Sequence, residues 1–211
     1  MSIFRNLFQL EEHRKNEIES QAYNVRMKFD QEDKFGLRQQ LNEFGLFKKG
    51  GQKKVKNILS KEDIIENEYI FDYQYSIQAN NNRITYKQTV VFFDSKHLSL
   101  PHFQLKPENF MDKILSWIGI EDINFLEYPV FSEKFKLTGE YQTIIREYFQ
   151  KDVIDLLSTQ KSFYMEGMNY YLIMYDKNNL LHPSLLPAFH HLAKMIMALF
   201  KLHSKDRTLD L

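Results

Sequence analysis

Residues 69–93 constrain the fold more than any other stretch of the chain. Tyr69, Phe71, Tyr73, Tyr75 and Ile77 alternate with Asp72, Gln74, Ser76 and Gln78, and a period of two puts the two sets on opposite faces of a strand. Residues 79–83, Ala-Asn-Asn-Asn-Arg, follow as a turn, because Asn tolerates left-handed backbone. Ile84 to Phe93 returns as a second strand, apolar on both faces from Val90 to Phe93. A long antiparallel hairpin results, covered on both sides near its end. A two-stranded hairpin is not stable alone, so other elements must pack on its aromatic face.

The material for that packing is present. The chain has 211 residues with 18 Phe and 12 Tyr, and a chain this long buries roughly 70% of its unfolded surface without help from a disulfide or metal. Residues 1–21 read as an N-terminal amphipathic helix, with Ile3, Phe4, Leu7, Phe8 and Leu10 on one side and a polar stretch from Glu11 to Glu19. Tyr23 to Phe29 alternates as a short strand, and Phe35 to Phe44 has helical spacing with Gly45 as its stop. A basic, glycine-punctuated loop, Lys48 to Lys56, leads into a strand around Val55–Leu59.

Beyond the hairpin, Leu98 to Leu105 reads as a strand whose Pro101 suits an edge or a strand start. Pro107 opens a helix carrying Phe110, Met111, Ile114, Leu115 and Ile118, which Gly119 ends. Phe131 to Leu137 alternates as a strand, Thr138 caps a following helix, and Phe163 to Tyr175 forms a second hairpin turning near Gly167–Asn169. A long helix from about Ser184 to His203 closes the domain, and 204–211 is a flexible tail. The expected fold class is α+β, a mostly antiparallel sheet built from hairpins and packed against helices including the long C-terminal one. Residues 22–203 form a single globular domain on this reading.

Several chemistries have no footing. The chain has no Cys, which excludes thiol nucleophiles, thiolate zinc sites and iron–sulfur clusters together. Lys and Arg total 28, as do Asp and Glu, so no global field draws the domain toward nucleic acid or an anionic membrane. Glycine-rich nucleotide loops and the Gly-x-Ser-x-Gly elbow are absent from the sequence. His190 and His191 are adjacent and diverge by about 100° on a helix, and His97 and His102 lack a metal-type carboxylate spacing. No catalytic residue, cofactor or metal is expected.

Three places remain where function can sit. The apolar stripe Ile3, Phe4, Leu7 and Phe8 is a candidate protein interface. Lys48, Lys49, Lys53 and Lys54 flank Gly50 and Gly51 and are candidates for weak anion or RNA binding, although Glu62, Asp63, Glu66 and Glu68 follow closely and no Arg or aromatic is interleaved. Tyr69, Tyr73 and Tyr75 are candidates to line a small-ligand pocket between the sheet and the C-terminal helix.

Gly45-Leu-Phe-Lys-Lys-Gly, Phe71-Asp-Tyr-Gln-Tyr, Tyr86-Lys-Gln-Thr-Val-Val, Leu100-Pro-His-Phe-Gln-Leu-Lys-Pro-Glu108 and Phe131-Ser-Glu-Lys-Phe-Lys-Leu-Thr-Gly139 together resemble an uncharacterised bacterial protein family of unknown function. The likeness spans roughly residues 35–175 and lies in strands and turns. Members often carry an N-terminal membrane anchor; here residues 1–21 are too polar to span a bilayer. The resemblance implies a non-enzymatic domain and supplies no site residues. The expectation is a cytoplasmic, non-catalytic interaction or scaffold domain near the inner membrane face, with protein rather than nucleic acid as partner and at most peripheral membrane contact.

Overall fold

The computed structural model describes residues 2–80, 82–108 and 121–209, with side chains over 8–80, 82–108 and 122–204. The fold is α+β, with antiparallel strand pairing and a long C-terminal helix. Two units divide the chain. One takes the residues up to Asp63, Asn67–Val91 and Asp176–His191; the other takes Ile64–Glu66, Phe92–Tyr175 and the chain from Leu192 onward.

In the first unit, α1 (Ser2–Val25) runs past the expected end at residue 21. Arg26 is left-handed (φ 57°), and the Met27 N–H donates to Ala22 O at 2.9 Å, a Schellman-type stop. Tyr23 and Val25 are therefore helical, and β1 is only Lys28–Glu32. Extending a formed helix by one turn costs little beside nucleating a strand, and a seven-residue alternation is too short to outweigh that. The expected helix over 35–44 is instead α2 (Leu37–Gln40) and α3 (Gly45–Lys48), with Gly45 opening the second piece. The Asp33 carboxylate accepts from the backbone N–H groups of Phe35, Leu37 and Arg38. The apolar spacing was sound, since Leu37, Leu41 and Phe44 are all fully buried.

Strands β2 (Gly51–Lys61), β3 (Glu66–Ala79) and β4 (Asn82–Ser95, in this unit to Val91) complete a sheet ordered β1–β2–β3–β4. The expected hairpin is present as β3–β4. Most of the expected basic loop is strand, broken by two irregularities in β2 where Gln52 and Asn57 take positive φ. Gly50 (φ 57°) precedes it, and a Cβ there would fall 2.4 Å from Ser76 O, so no other residue fits. Val90, Val91, Phe92 and Phe93 are consecutive and buried, which fits coverage on both faces.

The second unit holds β5 (Leu100–Pro107), β6 (Glu121–Asp122), α4 (Pro129–Lys134), β7 (Phe135–Gly139), α5 (Gln142–Tyr148), α6 (Lys151–Ser158), β8 (Tyr164–Asn169) and β9 (Tyr171–Tyr175). Its strands are ordered β9–β8–β5–β7–β6. Strand β5 pairs with β7 and β8, so Pro101 sits at a strand start and not on an exposed edge. Pro129 starts a helix that takes Phe131 into α4, and the strand expected from Phe131 begins at Phe135. Thr138 lies inside β7 and caps nothing; the next helix begins at Gln142. The helix expected after Pro107, with Phe110, Met111, Ile114, Leu115 and Ile118, lies outside the described residues.

The last helix, α7 (Leu186–Leu209), follows a 3-10 turn at Pro183–Leu185 and continues past His203. By length and composition Pro183–Ser204 passes for a membrane-crossing helix, a test that core helices also pass. Ala193, Ile196, Met197 and Phe200 are buried, and Phe200 meets Phe103 and Phe149 in an aromatic cluster. His203 is held by the Tyr148 carbonyl (2.9 Å) and the Asp152 carboxylate (3.2 Å).

Candidate functional site

The aromatic face of β3 is filled. Tyr69, Tyr73 and Tyr75 are 4%, 0% and 2% exposed. Phe35 meets Tyr69, Phe47 stacks on Tyr73 at 4.2 Å, and Tyr86 stacks on Tyr75 at 5.2 Å. These tyrosines are packed into an aromatic core, and Tyr73 also borders the cleft on the other side of the strand. Tyr69 donates its hydroxyl to Glu62. The Tyr73 hydroxyl has no hydrogen-bond partner among the described residues. Burial first, and Tyr75 beside it, push its phenol well above the ordinary tyrosine range, with Arg38 opposing.

On the opposite, polar face a cleft opens beneath α1. Alternation puts Asp72 and Gln74 there, and strand register sets Lys54 across from Gln74 and Lys56 across from Asp72. Arg14 reaches down from α1 and clamps Asp72 with two bonds, Nε to Oδ2 at 2.7 Å and Nη2 to Oδ1 at 2.8 Å. Its Nη1 donates to the Leu181 carbonyl at 3.0 Å, and its Nη2 also reaches Thr89 Oγ1 at 3.2 Å. Asp72 accepts further bonds from Asn57 Nδ2 (3.0 Å) and Thr89 Oγ1 (3.2 Å). Asn57 makes its contact from the β2 irregularity, whose left-handed backbone Asn adopts more readily than most residues. With Arg14 and Asp72 only 18% and 12% exposed, this bidentate pair is a partly buried latch for α1.

Next to the latch the cleft has a cavity of about 110 Å³. Five cationic side chains line it (Arg14, Lys15, Lys54, Lys56 and Lys87) against three carboxylates (Glu11, Glu12 and Asp72), with Phe8 and Leu180 at its apolar side. Arg14 is committed to Asp72, and Lys15 to Glu12 at 3.0 Å. Glu11 is left between Lys56 (3.4 Å) and Lys87 (3.8 Å), both loose, exposed pairs. The local field is positive by two charges.

The expected lysine cluster is dispersed. Lys48 pairs with Glu43, and Lys53 turns its ammonium onto the Phe47 carbonyl. Lys49 is not among the residues lining the cleft, which takes only Lys54 of the four. Phe8, 70% exposed, is the described member of the expected apolar stripe; the side chains of Ile3, Phe4 and Leu7 lie outside the described residues. Leu10, next to the stripe, is 67% exposed. Sequence reasoning missed Arg14, Asn57, Asp72 and Thr89, which stand 15 to 75 positions apart wherever the latch joins them. The one legible signal was the polar face of the β3 alternation.

Several other buried polar groups are paired within their units. His190 Nε2 meets Glu68 at 2.8 Å, with Lys61 on the other Glu68 oxygen at 3.2 Å. Tyr175 donates to Glu166 at 2.8 Å. His191 is exposed beside buried His190, as divergent helix positions require. No group of three or more His, Asp or Glu placed to hold a metal occurs among the described residues.

No family model and no curated protein matches the chain. Among solved structures it is similar to the crystal structure of the mycobacterial trehalose monomycolate transport factor A, TtfA. The TM-score is 0.62 at 11% identity, over 90% of this chain and 93% of that one. At that identity the likeness is one of fold: this chain has the α+β architecture of TtfA along nearly its whole length.

Proposed function

We propose that the protein is a non-catalytic interaction domain that works beside the inner face of a membrane, as an accessory to a transport process. The observation that carries this reading is the state of α1. The helix is latched at Arg14, yet Phe8 and Leu10, one to two turns earlier, are 70% and 67% exposed. Large apolar groups held out on a rigid, anchored helix suit a docking surface. The filled aromatic core supports interaction over ligand capture. The transport role comes from the name of the structural neighbour, a transport factor, and is carried here as an analogy of fold. Cytoplasmic placement belongs to the same proposal.

The test is site-specific photo-crosslinking in cells with a photoreactive residue at position 8, compared with position 23 on the same helix, where Tyr23 is 89% exposed. The expected result is a defined crosslink to a membrane-associated protein from position 8 alone, lost in Leu10→Glu. Identical crosslink patterns from the two positions would refute the docking surface.

A further inference from the structure

We infer that the cleft beneath α1 is a binding site for a phosphate group, held by Lys54, Lys56 and Lys87. Lys54 and Lys56 project from the same face of β2, opposite Gln74 and Asp72 respectively. Lys87 reaches the cleft from β4, two residues before Thr89 and so on the same face as that latch residue. Strands β2 and β4 thus converge three ammonium groups on one cavity, where Glu11 is the carboxylate held only by loose, exposed pairs.

Charge decides what the cavity takes. With Arg14 and Lys15 matched by Asp72 and Glu12, the three lysines face a single negative charge. The Lys54 ammonium has no ion-pair or hydrogen-bond partner among the described residues. A dianion neutralises the excess of two; a cation or a neutral polar ligand does not. Size agrees, since about 110 Å³ is several times the 10–15 Å³ or so that one water needs. The amides of Gln31 and Gln74 also line the space and can donate to phosphate oxygens. Glu11 already marks the anion position. It sits between Lys56 and Lys87 at 3.4 and 3.8 Å and is 58% exposed, a contact weak enough for a ligand to displace. Phe8 and Leu180 border the cavity, so a phosphate carrying an apolar substituent fits as well as a free one.

This site does not rest on the docking surface, and the two fail separately: the crosslink reports a protein partner, whereas the test here uses purified components. The full chain is titrated with inorganic phosphate by calorimetry at low ionic strength, and floated with phosphatidylcholine vesicles with and without phosphatidic acid. Lys54→Gln with Lys87→Gln is expected to weaken binding about tenfold, the loss of one to two charge-assisted contacts. Glu11→Gln is expected to strengthen it about threefold by removing the competing carboxylate. Lys151→Gln, on α6, is expected to change nothing. Saturable binding of inorganic phosphate with this pattern assigns a free phosphate compound. Flotation with phosphatidic acid alone, lost in the double variant, assigns a lipid headgroup. Absence of both, or binding that ignores the Lys54/Lys87 pair, overturns the site. Should the double variant not fold, the gain in Glu11→Gln decides, and no gain overturns the site as well.

Discussion

Replacing Asp72 with Ala removes the acceptor on which the α1 latch converges. Arg14 loses two charge-assisted bonds, Asn57 and Thr89 lose one each, and the guanidinium keeps only Leu181 O and Thr89 Oγ1. Breaking a fully buried pair costs about 3–5 kcal/mol and an exposed one about 0–1. At 18% and 12% exposure the pair lies toward the buried limit, so a loss of about 2–3 kcal/mol is expected. Arg14→Ala is expected to cost about 2 kcal/mol, because it strips a buried carboxylate of its cation but leaves Asn57 and Thr89 as donors. The double variant Arg14→Ala/Asp72→Ala is expected to lose little more than Asp72→Ala, a coupling of at least about 1.5 kcal/mol. Urea denaturation followed by far-UV circular dichroism on the four proteins measures it. Hydrogen exchange supplies the local readout: protection is expected to fall across α1 and to persist in α5 and α6. Additive costs, with a coupling under about 0.5 kcal/mol, or α1 protection unchanged in Asp72→Ala, would falsify the latch.

Tyr73→Phe is expected to stabilise the protein by about 1 kcal/mol, because it removes a buried hydroxyl without a partner among the described residues. The raised Tyr73 phenol keeps its proton in the folded state to higher pH than in the unfolded chain. Its contribution is therefore complete below the ordinary tyrosine value, about 10, and lost as pH rises beyond it; Tyr73→Phe should make the alkaline fall in melting temperature shallower. Glu68→Ala leaves buried His190 and the Lys61 ammonium without that carboxylate and is expected to cost about 3 kcal/mol by denaturant titration. At Gly139 a Cβ would lie 2.3 Å from Ile145 Cδ1 and 2.6 Å from His102 O. Ile145 can turn aside and a backbone oxygen cannot, so Gly139→Ala is expected to lose about 1–3 kcal/mol in the same assay.

What the sequence determined by itself was periodic. The alternation from Tyr69 to Tyr75 specified which face of β3 would be buried, the three asparagines marked its turn, and the spacing of Leu185, Phe189, Leu192, Ile196 and Phe200 announced a long final helix. These signals are local, because side-chain direction repeats every two or 3.6 residues whatever lies opposite. Element ends were less legible. Tyr23 and Val25 were taken up by a helix already formed, and Phe131 by a turn that Pro129 nucleates. Here neighbours several residues away outweighed a short pattern. The tertiary structure alone decided where the charges meet. Lys53 and Lys54 are adjacent in the chain, yet one is tied to the Phe47 carbonyl and the other faces a cleft. Arg14 finds Asp72 across 58 positions, and Lys87 joins Lys54 and Lys56 because β4 returns beside β3. Electrostatic partnership depends on distances of a few ångströms through space, and a linear sequence carries those distances only where its periodicity does.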